Sequence, residues 1–330
     1  MTDPFREQVM TLPDQFGHGP SPRGSLPQDG RLIIVGLGGS GLAGEFFGLG
    51  LEGSRETLVV RDLKLPEIRD RDALLAISYS GNTRETLSVW HEAGERGLVR
   101  AAVASGGRLL EEARADDLPH VEIPGGMAPR SGLGYLLRGC WSLVPGSPEP
   151  GWDEVGAHLR KMVARWVEPT DSSSPIGDVV SSLQGSLPIF LTWGSGSRLA
   201  GRRWVADLAE NAKVPSMVWE FPESAHNAIM TLARGAPKHH SIAAFILGEP
   251  RDQPAREYFR TVVSLLEEHG ARTSLVEEPH ESPWIHALGL AHLGDWASVL
   301  LAETIGVEAS NLSLMDDLKE HLARKEEGNE

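Results

Sequence analysis

Ser78, Ser80 and Thr83 put three hydroxyls within six residues, directly after the apolar run Leu74-Leu75-Ala76-Ile77 and before a segment with helical spacing. A helix N-terminus carries unpaired N–H groups and about half a positive charge, so such a cluster can hold a phosphate without any Lys or Arg. The same residues also suit an ordinary helix cap, because Ser, Asn and Thr are preferred there. An earlier turn is of the same kind: Arg31-Leu-Ile-Ile-Val runs into Gly36-Leu37-Gly38-Gly39-Ser40-Gly41, with Asp62 ending a second strand-like run. Read literally this is the dinucleotide fingerprint. Glycines at such a turn report only close approach of the backbone to something, however, and a dinucleotide fold has no need of Ser78–Thr83. Two loops at adjacent strand ends, one Gly/Ser and one Ser/Thr, make a pocket for one compact phosphate.

If that pocket holds a sugar phosphate, moving a proton between C1 and C2 of the open-chain sugar needs three things. These are a base at the carbon, a group that holds the enediolate, and an acid–base group that opens the ring. Glu210 is the leading base: it lies beside Lys213 in a charged stretch, and desolvation on closure would raise its pKa toward a useful value. Arg130, after Pro129 and before a helical segment, is a fixed cation that can steady an oxyanion; a solvated loop arginine is the plainer alternative. His226 is the leading ring opener, since imidazole donates and accepts near neutral pH, although it is one of 12 histidines. Lys319 is a further proton-handling candidate, on a helix where an exposed face is the commoner fate. Metal chemistry has no support: there is no H-E-x-x-H, no H-x-H and no calcium-type loop, and adjacent His239-His240 would point apart on a strand. No G-x-S-x-G surrounds Ser40, Ser80 or Ser197, which disfavours a serine hydrolase.

The elements that must position these residues alternate. Apolar runs at 32–35, 58–60, 74–77, 101–104 and 121–123 are separated by helical patterns, the order of a parallel sheet covered on both faces. Pro145-Gly-Ser-Pro-Glu-Pro-Gly151, with three prolines and two glycines, marks a boundary. Beyond it the pattern recurs: Leu187–Leu191 ends in Gly194-Ser195-Gly196-Ser197-Arg198-Leu199-Ala200-Gly201, and Gly-Ser-x-Leu-Ala-Gly sets Ser197 against Ser40. A Ser-rich loop is expected at Asp171–Pro175. The expected fold class is α/β, with two tandem units, residues 1–148 and 149–330, each a mainly parallel sheet flanked by helices. Leu312, Met315, Leu318 and Leu322 predict a terminal amphipathic helix docked on the body.

At 330 residues, 40% hydrophobic and 23% charged, the chain reads as a soluble globular protein large enough for two cores. A formal charge of −15 argues against nucleic acid or an anionic membrane as the main partner. Cys140 is the only cysteine, so no internal disulfide forms and a reducing cytoplasm fits. The N-terminus lacks a signal-peptide core and no uninterrupted apolar run reaches membrane-span length.

With these residues assembled, the chain resembles the sugar-isomerase (SIS) superfamily, and within it the bifunctional phosphoglucose/phosphomannose isomerases. The likeness rests on Gly38-Gly39-Ser40, Ser78-Tyr-Ser-Gly-Asn-Thr83, Pro129-Arg130, Glu210-Asn-Ala-Lys213 and Phe221-Pro-Glu with His226-Asn227, in that order. It implies phosphate binding by Gly38, Gly39, Ser40, Ser78, Ser80 and Thr83, a C1/C2 proton shuttle at Glu210, and an enediolate held by Arg130. It also implies ring opening by Lys319 and by a His226 that comes from the neighbouring subunit of a homodimer, with a hexose 6-phosphate substrate and no cofactor or metal. Ser310 falls where the family has a threonine linked to tolerance of either C2 epimer. The family's Asn-His-Asn-Glu is replaced by Ala225-His226-Asn227-Ala228, which leaves a non-catalytic sugar-phosphate sensor as the alternative. A nicotinamide-dependent dehydrogenase, resting on Gly36–Gly41 and Asp62, is a third reading.

Overall fold

A computed structural model describes residues 4–168, 174–232 and 241–327. Two short helices, α1 (Pro4–Met10) and α2 (Leu12–Gln15), precede β1 (Leu32–Val35), α3 (Gly38–Gly50), β2 (Thr57–Val60), β3 (Ala73–Ile77), α4 (Arg84–Glu95), β4 (Val99–Ala104), α5 (Gly107–Ala115), β5 (His120–Glu122) and α6 (Leu133–Leu143). Then come α7 (Trp152–Trp166), α8 (Pro175–Leu183), β6 (Leu187–Trp193), α9 (Gly194–Asp207), β7 (Met217–Phe221), β8 (Ile242–Leu247), α10 (Gln253–Glu268), β9 (Arg272–Val276), α11 (Pro283–Ile305) and α12 (Ser313–Glu327). The first sheet has the order β2-β1-β3-β4-β5 and the second β7-β6-β8-β9, every pairing parallel. The second order repeats the first through four strands, β5 having no counterpart, in keeping with the repeated Gly-Ser-x-Leu-Ala-Gly.

Parallel strands covered on both faces must be apolar at every position, and β1 and β3 are buried throughout. Alternate residues then serve different cores. Leu32, Ile34, Leu75 and Ile77 join Phe190, Phe245 and Leu247 of the second sheet in one central core, filled by α3, α6, α9 and α11 between the sheets. Ile33, Val35, Leu74 and Ala76 face outward under α4 and α5, and Ile189, Leu191, Ala244 and Ile246 face outward under α10. By length and composition α11 could cross a membrane, but 89% of its apolar window is buried inside the protein. It is the central helix of the fold, and its buried His292 and Asp295 are satisfied within it at 3.0 Å.

The helix that leads to Glu210 starts at the second Gly/Ser turn: α9 begins at Gly194 and runs without a break into one wide turn of π-helix, Leu208–Ala212. One expectation is corrected here. The terminal helix forms as expected, but among the described residues its apolar face is largely uncovered: Met315 is 44% exposed and Leu318 59%. Its apolar spacing reports that one face seeks an apolar partner, not that the partner lies in the same chain. The loop expected at Asp171–Pro175 lies mostly outside the described residues, and so do His239 and His240.

Between α7 and α11, His158 sits 4.7 Å from the His280 ring and 3.8 Å from Glu278. Burial, with His280, Arg165, His286 and Lys161 nearby, lowers its pKa to about 4. The unfolded chain, with an ordinary imidazole near pH 6.5, therefore binds the proton more readily between those values. His158 disfavours the folded state progressively as pH falls from about 6.5 toward 4 and is silent above that window. The unfolding midpoint of the natural chain is expected to fall more steeply across that range than that of His158→Gln; parallel curves would contradict the assignment.

Candidate active site

The sequence-predicted hydroxyls meet at the strand ends of the first sheet. Ser40, in the first turn of α3, is buried and its Oγ accepts from the Tyr79 N–H at 3.0 Å. Ser78 and Thr83 share a hydrogen bond at 2.9 Å, and Ser78 Oγ also accepts from the Gly81 N–H at 3.1 Å. Ser80 Oγ accepts from the Asn82 N–H at 3.3 Å. Thr83 does occupy the N-cap position of α4, yet its hydroxyl makes no cap bond, and α3 likewise starts without a side-chain cap. Neither N-cap side chain thus caps its helix, and helix N-termini of this kind can receive an anion. Gly81 adopts φ +69°, and a Cβ there would lie 1.9 Å from the Gly106 carbonyl oxygen, so only glycine permits the loop.

Tyr79 ties this loop to the next. Its hydroxyl donates to the Pro124 carbonyl and accepts from the Met127 N–H, each at 3.1 Å, and its ring packs where any side chain on Gly132 would stand. The turn Pro129–Ser131 is further pinned by the N-terminal helices. Gln8 Oε1 accepts from the Ala128 N–H at 2.8 Å and the Ser131 hydroxyl at 2.7 Å, and Gln15 Nε2 donates to the Ser131 carbonyl at 2.7 Å. The backbone of this turn abuts the start of α3: a Cβ on Gly39 would meet the Arg130 Cα at 2.9 Å and the Pro129 carbonyl at 3.1 Å. Both atoms are backbone and cannot swing away. Gly39→Ala is expected to part the loop at the start of α3 from Arg130 and cut kcat/KM by about 10-fold or more, since small misplacements in a site are costly. Unchanged kinetics in that variant would show that the two loops move independently.

Arg130 is buried and reaches the second half of the chain. Its Nε donates to Asn211 Oδ1 at 2.8 Å, one terminal nitrogen donates to the Ala309 carbonyl at 3.0 Å, and the other lies 3.5 Å from Glu210 Oε2. The guanidinium also stacks 4.0 Å from the Phe5 ring centroid. It is therefore not the solvated loop arginine of the plainer alternative. Glu210 is on the wide turn that ends α9, its side chain 26% exposed, so it is both anchored near a cation and open to a ligand. Lys213, read as lying beside Glu210, meets it at the backbone carbonyl. Held in the left-handed conformation at φ +58°, Lys213 turns its Nζ to the carbonyls of Glu210 at 2.5 Å and Asn311 at 2.8 Å. A lysine at a helix end satisfies orphan carbonyls, and this one staples the turn to the 308–311 loop. Ser310 lies in that loop, beside the Ala309 carbonyl that holds Arg130, with its hydroxyl 3.4 Å from Glu308.

Below Arg130 is a buried charge cluster that the sequence reading missed. Arg203 donates to the Arg130 carbonyl at 2.5 Å and bridges Asp295 at 2.9 Å and Asp207 at 2.8 Å. Burial pushes Asp207 well above the ordinary carboxylate range, with Asp295 adding to it, while Arg203 and His292 outweigh burial and hold Asp295 below that range. One cation thus lies between two carboxyls whose proton affinities are driven in opposite directions by burial and pairing.

His226 and Lys319 are not brought to this point. His226 follows β7, outside the buried core, and its ring is not among the groups that meet Arg130. Because Phe221 is in register with Trp193, β7 ends beside the start of α9, and Gly194, Phe221 and Glu223 line one small cavity. Glu210 lies past the opposite end of that helix, roughly 20 Å away at 1.5 Å per residue. Ala225 and Ala228, where the resembled family has Asn and Glu, pack on the outer core of the second sheet, and Asn227 Nδ2 donates to Glu223 Oε1 at 3.4 Å. Lys319 is exposed on α12 and pairs with Asp316 at 3.1 Å. A cavity of about 340 Å³ elsewhere, between α3, β2 and α9, is lined by Arg61, Arg198 and Arg202, with Glu45 bridging Arg61 and Arg202. Among the described residues, no group of three or more His, Cys, Asp or Glu could hold a metal ion.

Comparisons with known proteins bear on this constellation. Residues 173–322 match the bacterial phospho-glucose isomerase C-terminal SIS domain. The bifunctional phosphoglucose/phosphomannose isomerase of Thermoplasma volcanium is 30% identical over 322 residues, covering 97% of this chain and 99% of that one. The Aquifex aeolicus protein of the same name is 29% identical over 298 residues, 89% of this chain and 90% of that one. A hypothetical protein of Thermus thermophilus shares the fold with a TM-score of 0.72 at 17% identity, over 97% of this chain and 88% of that one. An alignment that spans both parallel sheets, and with them both sides of the Arg130–Glu210 junction, means that the chain belongs to the bifunctional phosphoglucose/phosphomannose isomerase family of sugar-phosphate isomerases.

Proposed function

We propose that the protein interconverts glucose 6-phosphate and fructose 6-phosphate, with mannose 6-phosphate as a second aldose, through a cis-enediolate. The observation that carries this reading is the Arg130–Glu210 pair, a buried cation 3.5 Å from a ligand-accessible carboxylate, formed where the loop at the start of α3 meets the end of α9. Ser40, Ser78, Ser80 and Thr83, with the N–H groups of Gly38 and Gly39, bind the phosphate and fix one end of the sugar. Glu210 removes the C2 proton of the open-chain aldose and returns it to C1, while the hydroxyl proton passes from O2 to O1. Arg130 stabilises the oxyanion that this transfer creates. A proton shuttle between adjacent carbons changes no oxidation state overall and calls for neither a redox cofactor nor a metal. Ser310, beside the Arg130 anchor, is the residue through which C2 configuration would be felt. In this reading the boundary between the 1–148 and 149–330 units is the seam across which Arg130 and Glu210 meet.

Ring opening falls to His226 of a second copy and to Lys319. The separation of His226 from Glu210 along α9 supports a homodimer in which each site borrows the histidine, and the exposed Leu314 and Leu318 of α12 supply apolar surface for such an assembly. The test is direct. Pure protein supplied with fructose 6-phosphate should form glucose 6-phosphate without added metal. Absence of turnover sinks the proposal, and tight hexose-phosphate binding without turnover would establish a sensor instead.

A further inference from the structure

Asn211 holds Arg130 through a chain of hydrogen bonds in which every donor and acceptor is determined. Arg130 Nε can only donate, so the atom facing it at 2.8 Å must be the amide oxygen of Asn211. The Asn211 amide nitrogen donates to Ser298 Oγ at 2.9 Å, and the Ser298 hydroxyl donates in turn to the Asp295 carbonyl at 2.8 Å. Flipping the amide would set N–H against N–H, so the side chain has one orientation. Asn211 is buried and rests on α11, the most deeply packed helix of the fold, while Glu210, its neighbour, points outward. The wide turn Leu208–Ala212 produces this division, because inserting a residue into the helix rotates the two side chains relative to a regular turn.

We infer that Asn211 is a positioning residue that sets the plane of the Arg130 guanidinium. With Nε tied to Asn211 and one terminal nitrogen tied to the Ala309 carbonyl, the group can neither spin about its long axis nor retract, and its remaining edge stays toward Glu210. An oxyanion stabiliser is effective only when oriented before charge develops, so the amide acts on the reaction without touching the sugar. This inference rests on the reading of Arg130 as the enediolate-binding residue.

Asn211→Ala is expected to lower kcat about 10- to 100-fold while KM and inhibition by inorganic phosphate stay near wild type, because the phosphate loop is on another element. Asn211→Asp keeps an acceptor for Arg130 Nε and is expected to lose less than the alanine variant. The deciding measurement is the cycle with Arg130→Ala. If Asn211 acts through Arg130, adding Asn211→Ala to Arg130→Ala costs no further activity. Full kcat in Asn211→Ala, or losses that multiply in the double variant, would overturn the inference. Arg130→Ala with wild-type turnover would overturn the reading of Arg130 itself, a distinguishable result. Should Asn211→Ala fail to fold, Ser298→Ala carries the test by loosening the same amide from its far side, with a smaller fall in kcat expected and an unchanged kcat counting against the inference.

Discussion

Glu210→Gln is expected to reduce kcat by about 10³-fold with little change in KM, because it removes the proposed carrier of the proton between C1 and C2 while leaving the side-chain shape in place. Gln keeps the length and a hydrogen-bonding carbonyl for the Arg130 edge 3.5 Å away. Arg130 keeps its bonds to Asn211 and Ala309 and its contact with Phe5, so melting curves should stay close to those of the natural protein. The diagnostic measurement is exchange of the C1 hydrogen of fructose 6-phosphate with deuterated water. It should vanish along with turnover, and exchange that survives in the glutamine variant would assign the base elsewhere. Loss of kcat together with a large rise in KM would point instead to a role in binding.

The second large effect concerns assembly. Two variants, Glu210→Gln and His226→Ala, should each be nearly inactive alone on closed-ring substrate. Co-expressed in equal amounts, they should regain about one quarter of wild-type activity, since half of randomly paired dimers are mixed and each mixed dimer holds one intact site of its two. Recovery requires that Glu210 and His226 of one site come from different chains, as in the proposed homodimer. If mixing restores nothing while the mixed dimer is shown to form, the histidine does not cross the subunit boundary. The Asn227–Glu223 contact and the packing of Ala225 and Ala228 also predict that the His226 loop of a single chain is already shaped before assembly.

Much of this protein is legible without coordinates. Short apolar runs separated by helical spacing determine two parallel sheets, because a strand buried on both faces has no polar positions to spare, and β1, β3 and β8 read that way. Gly and Ser at strand ends mark where a tight turn leads into a helix and leaves N–H groups free of the sheet, since such turns are built locally and need no distant partner. The repeated Gly-Ser-x-Leu-Ala-Gly likewise carries the doubled architecture.

What only the tertiary structure decided is everything that depends on the seam between the two sheets. Arg130 and Glu210 are 80 residues apart, and nothing in either neighbourhood announces that a wide turn would present one carboxylate outward and the adjacent amide inward. Lys213 reads as lying beside Glu210 because the two are close in sequence; the left-handed turn at the helix end brings it to backbone carbonyls. Tyr79, Gln8, Gln15 and Arg203 read as unremarkable polar residues and become braces of the Arg130 turn, since each acts through a contact formed across the fold. Local pattern governs local hydrogen bonding and burial, whereas the facing of one element on another is set by the packing of all of them together. For the same reason the spacing of Leu312, Met315, Leu318 and Leu322 determined that α12 is amphipathic, and the coordinates decided that Leu314, Met315 and Leu318 stay uncovered by the described residues of their own chain.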